Sequence, residues 1–145
     1  MIAEKEKRVD MVQNQNWYLS TVAEEAEALA ARYGLGLEIA EYCTASNMDE
    51  HFEEHHQKVL AEVEGVPRRI LHGPFNELFP CAIDPKARLL AVQRYRQACG
   101  LAASYGADKV VIHAGFVPNV YYPCWYTEQS ILFWREFLKD MPENR

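Results

Sequence analysis

The chain has 145 residues, 49% apolar, 25% charged and 12% aromatic, the make-up of one soluble globular domain with a sizeable core. A formal charge of −6 argues against a general binder of phosphate backbones, which needs clustered Lys and Arg to displace counterions, so nucleic acid is not an expected partner. The N-terminus is charged where a signal peptide is apolar, and no apolar run approaches the roughly 20 residues that cross a bilayer; a cytoplasmic chain with no membrane partner is expected.

In chain order, Met1–Asn16 carries five charges between Glu4 and Arg8 without an apolar stripe and reads as an N-terminal extension, leaving residues 17–145 as the folded domain. Trp17–Thr21 supplies aromatic and β-branched residues for a first strand. Ser20 or Thr21 can cap the helix that follows, in which Ala26, Leu29, Ala30 and Tyr33 share a face and Gly34 is the stop. The second strand is read over Leu35–Tyr42, with Leu37 and Ile39 on one side and Gly36, Glu38 and Ala40 on the other. Glu38 thus turns away from the helix-packing side. A carboxylate inside a closed parallel sheet is costly unless it meets a metal, a cation or a polar ligand, which makes Glu38 a site candidate, whereas Glu41 reads as a solvated strand-end residue.

Asn47 or Asp49 can cap a second helix whose Phe52, Val59, Leu60 and Val63 face inward, with Gly65 and Pro67 beyond its end. His51-Phe52-Glu53-Glu54-His55-His56 opens that helix. It is not the H-E-x-x-H metal motif, because Phe52 stands where that motif needs its glutamate, and it reads as a solvated face.

Arg68 and Arg69 precede Ile70-Leu71-His72, an apolar stretch that ends in a histidine and breaks into Gly73-Pro74. Asp84-Pro85 starts a long helix with cap and preset φ in the favoured order, and Ala87, Leu90, Ala91, Tyr95, Ala98, Leu101, Ala102 and Tyr105 mark its inward face before Gly106. Val110-Val111-Ile112 then repeats the earlier pattern, ending in His113 with Gly115 beyond it. Two parallel strands therefore deliver histidines to the carboxyl edge of a sheet, where α/β folds build their sites. The loop Phe116–Tyr126 holds Tyr121, Tyr122, Trp125 and Tyr126, rings that can close over a small polar ligand or stack on the C–H face of a sugar, or simply pack the loop onto the sheet. Thr127 can cap a last helix with Ile131, Trp134, Phe137 and Leu138 as its buried stripe.

Cys43, Cys81, Cys99 and Cys124 form no C-x-x-C pair and read as reduced structural thiols. Strands alternating with helices give an α/β fold of four consecutive βα units on a parallel sheet, either half of a (β/α)8 TIM-type barrel or a small doubly wound sheet.

Leu35-Gly36-Leu37-Glu38-Ile39, His72-Gly73-Pro74-Phe75-Asn76-Glu77-Leu78 and Val111-Ile112-His113-Ala114-Gly115 resemble, in order, strand ends of the sugar phosphate isomerase/epimerase family, the xylose-isomerase-like barrels. The likeness runs from about Trp17 to Pro142 and corresponds to the N-terminal half of such a barrel. It implies a divalent metal (zinc, manganese or magnesium) at the carboxyl end of the barrel and proton transfer between adjacent carbons of a sugar or sugar phosphate. His72 and His113 are then expected beside the metal or substrate and Glu38 at the substrate as the catalytic carboxylate; Asn76 and the loop rings Tyr121, Tyr122 and Trp125 stand as further candidate substrate contacts. Family members draw their main carboxylate ligands from four further βα units, so metal binding by this chain alone is expected to be weak or absent. An inactive half-barrel module is the alternative reading, and an apurinic endonuclease-like protein a third, which suits the histidines but not the acidic charge. Four units leave the inner sheet face, including Ile70 or Leu71 and Val111, uncovered, so a homo-oligomer is expected.

Overall fold

The computed structural model describes residues 16–141, so the extension expected over Met1–Asn16 lies, Asn16 excepted, outside it. Four strands, β1 (Tyr18–Ser20), β2 (Gly36–Ile39), β3 (Arg69–His72) and β4 (Lys109–Val111), alternate with four helices, α1 (Ala26–Tyr33), α2 (Phe52–Val63), α3 (Pro85–Ser104) and α4 (Pro123–Leu138). The strands form one parallel sheet in the order β1-β2-β3-β4. This is the expected run of four βα units, consistent with half of a TIM-type barrel.

Alternation along β2 and β3 divides the sheet into two faces. Leu37, Ile39 and Leu71 are fully buried against Ala26 and Ala30 of α1, Val59 and Val63 of α2, and Ala98 and Ala102 of α3. A second cluster joins α3 to α4 through Ala91, Tyr95 and Phe137. Leu71 therefore belongs to the helix side and Ile70 to the inner face.

That inner face is filled partly from within. The Tyr18 ring lies against Gly36, with the Arg68 guanidinium 5.6 Å and the Lys109 ammonium 5.7 Å from its centroid. Strands spaced at about 4.8 Å put β1 and β4 about 14 Å apart, a width that the Tyr18 ring leaning over β2 and the long Lys109 side chain bridge together.

Three expected helix starts differ, two because the capping side chains are engaged elsewhere and one because the helix begins ahead of its expected cap. Thr21 donates its hydroxyl to Glu41 (2.7 Å) and accepts the Ala40 N–H, while α1 begins at Ala26 behind a left-handed Glu25. Asn47 donates to the Glu41 carbonyl, Asp49 accepts from Arg94 and Gln97, and left-handed His51 precedes α2. α4 starts at Pro123, bringing Trp125 and Tyr126 into the helix, and Thr127 donates to the Pro123 carbonyl. Only Asp84 caps as expected, accepting the Lys86 N–H at 2.8 Å ahead of Pro85. Of the residues assigned inward-facing helix positions, Leu60, Leu90, Ile131 and Leu138 are exposed, whereas Tyr126, assigned to the loop, is buried in α4.

Two further corrections concern polar groups. Glu41 is buried, held by Thr21 and by Lys58 at 3.5 Å, because the chain turns into a short 3-10 helix (Glu41–Cys43) beneath α2 instead of extending β2 into solvent. His56 is not simply solvated: it stacks on Phe52, and its Nδ1 lies 2.6 Å from the Tyr105 hydroxyl, which in turn meets the Tyr42 hydroxyl.

Candidate functional site

His72 is the last residue of β3, and His113 stands two positions beyond the end of β4, both at the carboxyl edge of the sheet. Their Nε2 atoms are 3.1 Å apart. His72 Nδ1 lies 2.9 Å from the Gly73 carbonyl oxygen, and since a carbonyl only accepts, that nitrogen carries the proton. Nε2 of His72 is then bare, and for His113 to bond to it, His113 Nε2 must donate. The hydrogen-bond network thus assigns both tautomers of the pair.

Aromatic and sulfur contacts hold these rings. Phe75 stacks on His113 with centroids 4.4 Å apart and 13° between planes, and makes a T-shaped contact with His72 at 5.4 Å. Cys43 Sγ sits 3.1 Å from His72 Nδ1, and the Phe75 N–H donates to the Cys43 carbonyl, tying the turn after β2 to the loop after β3. Burial, then the negative charges of Glu38 and Glu41, pushes the Cys43 thiol above its ordinary value, so it is a protonated thiol at neutral pH. Neither Cys43 nor Phe75 emerged from the sequence as a functional candidate. The available signal was position: both follow strand ends on the edge that carries His72.

Glu38 lies on the inner face, half-buried, in register with Ser20 on β1 and Ile70 on β3. Asn76 is exposed in the loop after β3. Tyr121 stacks on Trp125 at 5.4 Å and packs against Tyr126, whose hydroxyl donates to the Ala114 carbonyl beside His113; Tyr122 is 81% exposed. The aromatic group is thereby anchored next to the histidine pair through Tyr126.

Two imidazole nitrogens turned toward each other suit a divalent cation once the His113 Nε2 proton has passed to Nδ1 or to solvent, because tetrahedral bonds of about 2.0 to 2.1 Å place two ligand nitrogens about 3.3 Å apart. Among the described residues no three His, Cys, Asp or Glu side chains gather at one point, so the pair is a partial donor set.

Comparison with known proteins gives no matching family model. An uncharacterized protein of Methanocaldococcus jannaschii, MJ1311, is 31% identical over 52 residues, 36% of this chain and 18% of that protein. Among solved structures, the TTHB071 protein from Thermus thermophilus, soaked with zinc chloride, superposes with a TM-score of 0.64 at 25% identity over 87% of this chain. A D-tagatose 3-epimerase-like protein superposes with a TM-score of 0.55 at 20% identity over 84% of this chain, a likeness of fold. The chain spans about half the length of these solved structures, 49% and 47%, and less than a fifth of the curated relative.

Proposed function

We propose that this chain forms one side of a metal-assisted sugar or sugar phosphate isomerase/epimerase site, with His72 and His113 holding a divalent cation and Glu38 facing the substrate. The observation that carries the reading is the approach of the two Nε2 atoms to 3.1 Å at the carboxyl edge of a parallel sheet. The fold likeness to a D-tagatose 3-epimerase-like protein supports the reaction class, and the zinc-soaked Thermus protein supports trying zinc first.

In such a site His72 and His113 would hold the divalent cation, which would supply polarisation of the substrate carbonyl when bound. This chain's own residues have distinct tasks. Gly73 fixes the tautomer that leaves His72 Nε2 bare, Phe75 holds the His113 ring plane, and the Glu38 carboxylate accepts a proton from a carbon next to the carbonyl. Tyr121 and Trp125 offer flat apolar surface for sugar C–H groups, and Asn76 an amide for hydroxyls. The compartment is a reducing cytoplasm, in keeping with four cysteines that form no disulfide.

Two imidazoles make a weak site, so zinc and manganese should bind at micromolar concentration or above. Calorimetry on the wild type and on a His72→Ala, His113→Ala double variant tests this, and identical titrations would remove both histidines from the site. Turnover by the chain alone should be absent, since Glu38 is the one carboxylate read as facing inward and a proton shuttle between two carbons needs further positioned groups. Incorporation of deuterium from heavy water into a panel of ketoses and their phosphates is the assay. Exchange that persists in Glu38→Gln would overturn both the expected inactivity and the role given to Glu38.

A further inference from the structure

We infer that Cys43 is a positioning residue for His72: its sulfur shares the Nδ1 proton with the Gly73 carbonyl and so keeps the bare Nε2 of His72 turned to His113. The inference rests on the reading of His72 as a metal ligand for its consequence, though not for its geometry. The Gly73 carbonyl belongs to the next residue along the chain, and one neighbouring acceptor leaves the imidazole free to swing about its Cβ–Cγ bond. Cys43 supplies a second acceptor from a different strand end, 3.1 Å from the same nitrogen. Turning the ring over would set a carbon-bound hydrogen against both acceptors and leave the Nδ1 proton without either.

Two backbone contacts hold Cys43 in place: the Phe75 N–H donates to the Cys43 carbonyl at 3.2 Å, and the Cys43 N–H donates to the Ala40 carbonyl at 3.1 Å; Phe75 in turn meets the His72 ring in a T-shaped contact. A ligating imidazole whose other nitrogen is held by an acceptor has its orientation and tautomer fixed before any ion arrives, and loss of such a holder typically lowers metal affinity 10- to 100-fold. Cys43 has the geometry of that holder. It approaches the nitrogen remote from His113, so it is placed to orient the ligand and not to join the donor set.

The test uses the whole chain, free of metal, with nitrogen-15 in its imidazole rings. Long-range proton–nitrogen correlation should show wild-type His72 as a single Nδ1–H tautomer. Cys43→Ala and the volume-conserving Cys43→Val should average the two His72 nitrogens toward a tautomer mixture, and Cys43→Ser, which keeps an acceptor, should restore the wild-type pattern. Zinc affinity should fall about 10- to 100-fold in the Ala and Val variants and stay within about threefold of wild type in the Ser variant. A single unshifted tautomer in both Ala and Val would overturn the inference. A wild type that binds no zinc yet shows the tautomer shift would retire the metal reading and leave the role of Cys43 supported.

Discussion

Glu62 reaches from α2 toward Glu41 and Lys58, and one of its carboxylate oxygens is buried with no hydrogen-bond partner. Burial and the nearby Glu41 charge hold its pKa above the ordinary 4.5, against the opposing pull of Lys58. A carboxyl whose folded pKa lies above its unfolded one stabilises the fold below pH 4.5 and loses that contribution as the pH rises. Glu62→Gln should therefore match the wild type near pH 4 and exceed it at pH 7 by up to about 1 kcal/mol, with the side chain's partial exposure limiting the gain. Urea midpoints at the two pH values check this, and a variant less stable than wild type at pH 7 would refute it. The same neighbourhood shows where single residues were legible. Alternation alone places Glu38 opposite Leu37 and Ile39, and a histidine before Gly-Pro announces a strand end. Glu41 was not legible, because its burial depends on Thr21 and Lys58, which a chain reversal and a separate helix bring to it.

At the level of elements, the Tyr18 ring on β1 needs the space that Gly36 leaves on β2. A Cβ at position 36 would fall 2.4 Å from the ring and 3.0 Å from the Arg68 carbonyl oxygen, and the latter is backbone that cannot swing aside. Gly36→Ala should cost about 1 to 3 kcal/mol through overpacking, read as a lower urea midpoint, while Tyr18→Ala combined with Gly36→Ala should cost less than the sum of the two single changes. Additive losses would mean that the ring and the glycine are not coupled. The order of the elements follows from apolar periodicity, and all eight occur in the expected sequence, although β3 and β4 start one residue early and α4 starts at Pro123, ahead of the expected Thr127. Their starts were harder to read, since a threonine or asparagine is a cap only if nothing distant claims its side chain, as Glu41 claims Thr21 and the Glu41 carbonyl claims Asn47. Asp84 is legible because Pro85 fixes the next residue's φ whatever the surroundings.

For the molecule as a whole, β1 and β4 are the two open edges of the described sheet. Trp17 and Val22 flank β1 at 67% and 77% exposure, and beside β4 a cavity of about 650 Å³ opens between α3 and α4, lined by Val110, Ile112, Trp134, Phe137 and Leu138. A second copy of the chain is the expected cover: β1 of one copy laid parallel to β4 of the other, twice over, would join equal three-residue strands, cover Trp17 and bring two histidine pairs to one opening. The inner face also carries both signs of charge, Glu38 against Arg68 and Lys109, which favours pairing like faces. Light scattering coupled to size exclusion at micromolar concentration should give a dimer or larger, and a monodisperse species of 16.7 kDa would exclude it.

The ring of Tyr18 meets Gly36 of β2, Arg68 just ahead of β3 and Lys109 of β4, and that has a consequence in time. Tyr18 leaves the ribosome early, but Lys109 follows about 90 residues later, a wait of roughly 5 to 20 s at ordinary rates of synthesis. Until then the inner face lacks its last strand, and the nascent chain can pair its first strands without the Lys109 partner of Tyr18. The same few residues that bring Lys109 also bring His113, so the sheet takes its shape and the imidazoles meet in one late step.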